Sequence, residues 1–285
     1  MIAPIERQLA GLRVLTGGWR KAGETIGVVP TMGALHQGHL SLARAARAAC
    51  DRVIVTIFVN PKQFNDPDDL KNYPRTEQED ARKLESIGVD LIYVPDPDQI
   101  YPDGFATTVS VGGLTDMLCG EARPGHFDGV ATVVSKLFTQ TAADFAFFGE
   151  KDYQQLQIVR RMAADLDLGV EVVGCPTIRE EDGLAMSSRN LLLSDRSRIK
   201  APMLAQVMND LRDQLLDGAA MSDIVDDART GILNAGFTEI DYLELRDGGD
   251  LSLLDQTKPG ARLFAAAWLA GVRLIDNIAV DAPPD

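Results

Sequence analysis

The chain has 285 residues, with 28 Lys and Arg against 42 Asp and Glu for a formal net charge of −14, and it is 45% hydrophobic and 25% charged. That length holds one large domain or two ordinary ones, and the composition excludes a fibre or a chain disordered over most of its length. A field this negative argues against a general binder of nucleic acid or of anionic membrane, so an anionic ligand would need a positive site built locally.

Taken in chain order, residues 25–29 read as a short apolar strand ending at Pro30, residues 39–49 as a helix, and residues 53–59 as a β-branched run apolar enough to be buried on both faces. Thr76 and Glu79 have capping-box spacing ahead of a helix to Ile87 that Gly88 stops, and residues 90–94 supply the next strand. A helix over 129–138, a strand over 145–148, a helix over 153–166 and a strand over 170–174 continue the alternation. Strand and helix trading places implies right-handed crossovers and an α/β, Rossmann-like doubly wound parallel sheet, with ligands beyond the carboxyl ends of its strands. From about Ser194 the pattern changes to helices over 196–216 and 221–235 and then strands near 242–245, 262–268 and 273–277. The expected division is an α/β domain over 1–184 and a smaller α+β domain over 185–285.

No uninterrupted apolar run reaches the roughly 18 residues that span a bilayer, and Glu6 and Arg7 stand where a signal peptide carries its apolar core. Cys50, Cys119 and Cys175 are odd in number and widely spaced, which suits neither a disulfide framework nor a C-x-x-C site and points to the reducing cytoplasm. Cys119 reads as a buried or idle thiol, with nothing near it in sequence to activate it beyond His126.

The three histidines of the chain all lie in glycine-containing turns. His36 and His39 follow the first strand and open the next helix, where a spacing of three residues puts both rings on one side of the helix start. With the helix N-terminus, and with Gly38 allowing close approach, this suits nucleotide phosphates. The plainer reading is a glycine turn with two surface histidines, and a metal pair lacks a third ligand. A second polar segment, Gly149 with Glu150, Lys151, Asp152 and Gln155, follows a later strand and offers a cation for phosphate; on its own it is a solvated helix start. A third, Met186 to Asn190, joins two hydroxyls to a fixed cation. Gln63 is placed to bind a small polar substrate, and Arg123 with His126 to add positive potential, against a loop amide and a surface ion pair. Glu77, Glu79 and Asp80 read as solvated helix-face charges rather than metal ligands.

In combination these segments are recognisable. His36-Gln-Gly-His39 resembles the HxGH signature of the nucleotidyltransferase superfamily, and Met186-Ser-Ser-Arg-Asn190 resembles its mobile second signature, written KMSKS in class I aminoacyl-tRNA synthetases. Ala185 and Arg189 stand where those synthetases have lysines. Together with Pro30-Thr-Met-Gly33, Phe58-Val-Asn-Pro-Lys-Gln-Phe64, Tyr73-Pro-Arg-Thr76, Arg123-Pro-Gly-His-Phe127 and Phe148-Gly-Glu-Lys-Asp152, the sequence resembles the pantoate–β-alanine ligase family over almost its whole length.

The resemblance implies an AMP-forming ligase that joins (R)-pantoate to β-alanine through an enzyme-bound pantoyl adenylate, with ATP as substrate and Mg²⁺ as cofactor. It implies an ATP site of Met32, Gly33, Ala34, Leu35, His36, Gln37, Gly38, His39, Gly149, Glu150, Lys151, Asp152, Ile178, Met186, Ser187, Ser188 and Arg189. His39 is the implied phosphate donor with His36 its partner, and Lys151 and Arg189 complete the catalytic set. Gln63 and Gln155 hold pantoate, Gln63 also lies near β-alanine, and no metal ligands are implied. A homodimer follows on the same ground. The net charge and the lack of a spanning apolar run speak against a nucleic-acid or membrane partner, and the polar segment 187–189 after Gly183 leads us to expect the C-terminal domain to act as a lid. Two other readings stand beside it: a different nucleotidyltransferase that ignores β-alanine, and a nucleotide-binding regulator without turnover, against which the retained histidines, Lys151 and Arg189 speak.

Overall fold

The computed structural model describes residues 3–280, and the chain forms two compact units, Met1–Gly149 with Gln155–Pro176, and Glu150–Gln154 with Thr177–Asp285. The first holds β1 (Ile5–Glu6), α1 (Leu9–Lys21), β2 (Ile26–Thr31), α2 (Gln37–Ala49), β3 (Arg52–Ile57), a 3-10 turn (Pro61–Gln63), α3 (Pro67–Asn72), α4 (Glu77–Glu85), β4 (Leu91–Tyr93), α5 (Pro97–Ile100), α6 (Cys119–Ala122), α7 (His126–Thr141) and β5 (Phe145–Gly149). After a 3-10 turn, Glu150–Asp152, come α8 (Tyr153–Asp165) and β6 (Glu171–Cys175).

The six strands are all parallel, in the order β1-β4-β3-β2-β5-β6. This is the doubly wound sheet that the alternating pattern predicts. Val28, Val29, Val53, Ile54 and Val55 are wholly or almost wholly buried, because helices cover both faces of a parallel sheet. The chain runs from β2 outward through β3 to β4 on one side and later through β5 to β6 on the other, so β2 and β5 flank the switch point where such sheets bind ligands. The expected stop at Pro30 is corrected: β2 runs on to Thr31, since its ladder to β5 covers only Gly27 and Val28 while pairing with β3 continues to Ile57.

Other boundaries shift for local reasons. Thr76 makes no capping bond to the start of α4; its hydroxyl donates instead to Asp80 at 3.0 Å, so the expected capping box is absent there. The α7 helix begins at His126, three residues before the predicted start, because Gly125 adopts a left-handed φ of 77° that turns the chain into it. Its buried residues extend nearly all round the helix, as befits one packed on several sides.

The second unit contains a 3-10 turn (Ser188–Leu192), α9 (Asp195–Arg198), α10 (Met203–Leu216), α11 (Met221–Asn234), β7 (Glu239–Asp247), β8 (Leu253–Leu254), β9 (Ala261–Leu269) and β10 (Val272–Ala279). Its antiparallel sheet has the order β10-β9-β7-β8, and Leu204, Met208, Leu211 and Leu215 of α10 share a core with Leu243, Leu263 and Leu274 of the sheet. The single helix expected over 196–216 is two helices, since Pro202 lacks the N–H that would continue the first. The two units meet along the chain at 176/177, and Arg179 bridges Ala185 so that residues 177–186 fold as one hairpin.

Asp90, just before β4, ties that strand's start to the start of β3 and to α2. Its carboxylate accepts from the Val53 amide at 2.8 Å, from Arg47 at 2.6 Å and from Arg52 at 2.9 Å. Asp90→Ala leaves a strand amide and two guanidinium groups short of their acceptor, and urea unfolding should show a loss of about 2 kcal/mol. A change below about 0.5 kcal/mol, the ordinary range for a surface site, would contradict this.

Candidate active site

Beyond β2, residues 32–36 carry the chain to α2. Gly33 and Ala34 both adopt left-handed φ, 85° and 50°, a conformation that costs an alanine roughly 1–2 kcal/mol. What holds the loop there is Asp80 of α4, which is fully buried. One carboxylate oxygen accepts from the Ala34 amide at 2.9 Å and the other from the Leu35 amide at 2.8 Å. Lys83, one turn along α4, donates to the Leu35 carbonyl at 2.8 Å. The expectation that Asp80 is a solvated charge is therefore corrected, whereas Glu79 does face solvent and pairs with Lys83 at 2.7 Å.

At the start of α2 the two histidines form a reciprocal cap. His36 Nδ1 accepts from the Gly38 amide at 3.1 Å, and His39 Nδ1 accepts from the His36 amide at 3.3 Å, with ring centroids 4.1 Å apart. A backbone N–H only donates, so both Nδ1 atoms are acceptors and each neutral ring carries its proton on Nε2. A Cβ on Gly38 would sit 2.9 Å from both Cε1 and Nδ1 of His36. Glycine at 38 thus makes room for the imidazole folded over the helix start, a closer neighbour than the phosphate expected there.

A polar cluster forms next to this loop within the first unit. Gln63 Nε2 donates to Met32 Sδ at 3.2 Å, and Gln63 Oε1 accepts from Asn60 Nδ2 at 3.0 Å. Asn60 is buried, donates also to the Gly129 carbonyl at 3.0 Å, and accepts from the Tyr101 hydroxyl at 2.7 Å. Burial holds the Tyr101 phenol well above the ordinary tyrosine range, so it remains a donor. The Gln63 carbonyl accepts from His126 Nδ1 at 2.8 Å and from Arg123 at 3.2 Å. Because a carbonyl only accepts and the guanidinium 3.2 Å from Nε2 only donates, His126 is neutral with its proton on Nδ1. Gly129 admits this turn to the face of α7: a Cβ there would lie 2.3 Å from the Lys62 carbonyl oxygen.

In the second unit, the turn Glu150–Asp152 carries Lys151, whose side chain is mostly buried and whose Nζ lies 3.8 Å from Asp152. Met186 donates its amide to the Ile178 carbonyl at 2.9 Å, which sets these two side by side on the hairpin. Ser187 caps the following 3-10 turn, its hydroxyl accepting from the Arg189 amide at 3.2 Å. Asn190 is buried and donates to Glu180 at 2.7 Å and to the Ala185 carbonyl at 3.1 Å. Gly149 closes β5, and Gln155 lies in the first turn of α8, half-buried. Cys119 opens α6 and is partly exposed rather than buried. Among the described residues, no group of three or more His, Cys, Asp or Glu is gathered to hold a metal ion.

The sequence matches the family described as pantoate-beta-alanine ligase over residues 5–279. The chain belongs to that family. It is 66% identical to the pantothenate synthetase of Roseobacter denitrificans, covering 98% of this chain and 99% of that protein, and 64% identical to that of Ruegeria pomeroyi over 98% of each. A crystal structure of pantothenate synthetase from Thermus thermophilus superposes with a TM-score of 0.91 at 42% identity, covering 98% of this chain and 99% of the other. The ligase from Francisella tularensis, complexed with beta-gamma ATP and beta-alanine, gives 0.84 at 33% identity over 99% of this chain and 100% of the other. A match this complete sets aside membership of a different nucleotidyltransferase family.

Sequence reasoning assigned no role to Asn60, Tyr101 or Asp80. Asp80 had a readable signal, since it precedes buried Leu84 by four residues and so shares the buried face of α4. Tyr101 had none, because its contact with Asn60 spans 41 residues. For Asp80→Asn, which keeps the volume but turns an amide NH₂ toward a backbone donor, we expect about 1–3 kcal/mol less stability together with a raised KM for ATP in this ligase. Unfolding and AMP-release assays check both; an unchanged pair of values would remove Asp80 from control of the loop.

Proposed function

We propose that the two histidines capping α2, with Lys151 and Arg189, activate (R)-pantoate on ATP, and that Gln63 and Gln155 hold pantoate for it. The observation that carries this reading is the reciprocal histidine cap, which fixes both rings in the Nε2–H form at the start of α2 in a chain of the ligase family.

A free carboxylate resists amine attack because its charge is delocalised and oxide is a poor leaving group. The first step therefore forms a bond from a pantoate carboxylate oxygen to the α-phosphorus and breaks the bond to pyrophosphate. Negative charge grows on the departing phosphates. His39 donates there from Nε2, His36 orients it, and Lys151 and Arg189 supply fixed positive charge, which is how a protein of net charge −14 serves an anionic nucleotide and an anionic acid. In the second step the neutral amine of β-alanine attacks the acyl carbon, AMP leaves, and the amine gives up a proton. Positioning dominates here, and Gln63 serves both substrates because its side-chain amide and its carbonyl are each held.

Mg²⁺ enters as the companion of ATP. When bound it would neutralise phosphate charge alongside Lys151 and Arg189, and no step above depends on it. We read the segment 187–189 as closing on bound nucleotide, which excludes water from the adenylate, and the C-terminal domain as the lid that carries it. A homodimer is proposed on family resemblance, and a cytoplasmic setting on the odd number and wide spacing of Cys50, Cys119 and Cys175; no helix among the described residues is long and apolar enough to cross a membrane.

Removing one preorganised donor to a developing oxyanion costs about 100-fold or more. His39→Ala and Lys151→Ala should each slow pyrophosphate–ATP exchange by at least that factor while remaining folded, His39→Ala with the loss of about 1 kcal/mol expected of a removed cap. Near-normal exchange by either folded variant would refute its assignment.

Oxygen-18 in the pantoate carboxylate separates the routes. Attack through that oxygen carries one label into AMP once β-alanine is added, and pyrophosphate exchange into ATP requires pantoate alone. Unlabelled AMP would exclude the acyl adenylate; ADP as product would indicate transfer of the γ-phosphoryl group; and the absence of any product would indicate a regulator.

A further inference from the structure

Asp276 and Asn277 are consecutive residues of β10 and both are buried, although successive side chains of a strand face opposite ways. Asn277 Nδ2 donates to the backbone carbonyls of Glu150 at 2.9 Å and Lys151 at 2.8 Å. Its Oδ1 accepts from Arg262 of the neighbouring strand β9, so the amide has one orientation and both ends in use. Arg262 reaches the Glu150 carboxylate at 3.2 Å and lies 4.0 Å over the ring of Tyr153. The backbone that presents Lys151 is thus fastened to the second sheet.

On the other side of the strand, Asp276 grips Arg179 at two points, 2.7 and 2.9 Å. Arg179 in turn donates to the Gly183 carbonyl at 3.0 Å, bracing the hairpin that leads into Met186, Ser187, Ser188 and Arg189. The Asp276 carboxylate also accepts from the backbone N–H of Asn277 at 2.7 Å, which fixes its own direction on the strand. Burying an amide and a carboxylate in a sheet costs desolvation that apolar residues would avoid. What the pair gains is geometric: two segments far apart in sequence are set from one rigid strand.

We propose that Asp276 and Asn277 are positioning residues for the ligase reaction, holding Lys151 and the Arg189 segment in register with each other. The inference rests on the reading of Lys151 and Arg189 as phosphate-directed groups, and it assigns neither Asp276 nor Asn277 a contact with substrate. A misplacement of about 1 Å at such a group costs up to about 100-fold in rate.

Two double-mutant cycles, read as pyrophosphate–ATP exchange with pantoate on the full-length enzyme, test it. Asn277→Ala should slow exchange by about 10- to 100-fold, yet in a Lys151→Ala background the same substitution should change the rate by less than about 2-fold, since its effect passes through Lys151. Asp276→Asn should behave likewise against Arg189→Ala. A general loss of folded protein would multiply through both backgrounds alike and leave each cycle additive, so additivity in either cycle overturns the shared anchor. A folded Asn277→Ala enzyme with ordinary exchange overturns it also. If Lys151→Ala or Arg189→Ala alone leaves exchange intact, the phosphate reading of that group fails and the inference falls with it. Should Asn277→Ala not fold, Asn277→Ser, which keeps a hydroxyl donor, is read in the same cycle against the same outcomes.

Discussion

A parallel sheet is stable only when helices cover both of its faces, and that constraint governs where polar groups can gather in the first unit. Strand interiors such as Val28 and Ile54 are wholly buried, so hydrogen-bonding side chains collect where strands end. Crossovers diverge from β2 toward β3 and β5, and the segments leaving β2, β3 and β5 carry the histidine cap, the Asn60–Gln63 cluster and the approach to Lys151. The fold thus selects these positions by elimination: they are where backbone groups are left unpaired by the sheet.

Buried carboxylates and amides then convert loops into defined geometry. Asp80 spends its charge on two loop amides, and Asn60 satisfies Gln63, Gly129 and Tyr101 together. In the second unit Asn277 and Asp276 act in the same manner on backbone and on Arg179. Each such group would be costly if left unpaired and fixes direction when paired. That is the property a phosphate-handling site needs, because donors aimed in advance require no reorganisation as charge develops.

Histidine in the HxGH segment illustrates how a motif's residue types acquire meaning from neighbours. Spacing alone leaves phosphate donors and surface histidines both open. The Nδ1 atoms turn inward onto backbone amides and the rings lie tilted with centroids 4.1 Å apart, which settles the tautomer and gives Gly38 a packing reason of its own. The second glycine of this kind, Gly129, serves packing between α7 and the Gln63 turn in the same way.

The fold class was legible in the sequence because apolar periodicity is local: a β-branched run at 53–59 and alanine-rich spacing over 39–49 state their element types without reference to anything distant. His36, His39 and Lys151, proposed to act on phosphate, stand out in the sequence for a related reason, since they lie in short motifs next to strand ends, while the segment 186–189 follows a hairpin. Boundaries were less so where a partner decides them, as at Pro30, where β5 has already left the ladder, and at Thr76, whose hydroxyl turns to Asp80. Contacts made across long stretches of chain were not legible at all. Tyr101 on Asn60, Asp80 on the Ala34 amide, and Asn277 on the Lys151 carbonyl join residues 41, 46 and 126 positions apart, and no local pattern encodes a hydrogen bond whose two ends are brought together only by the packing of whole elements.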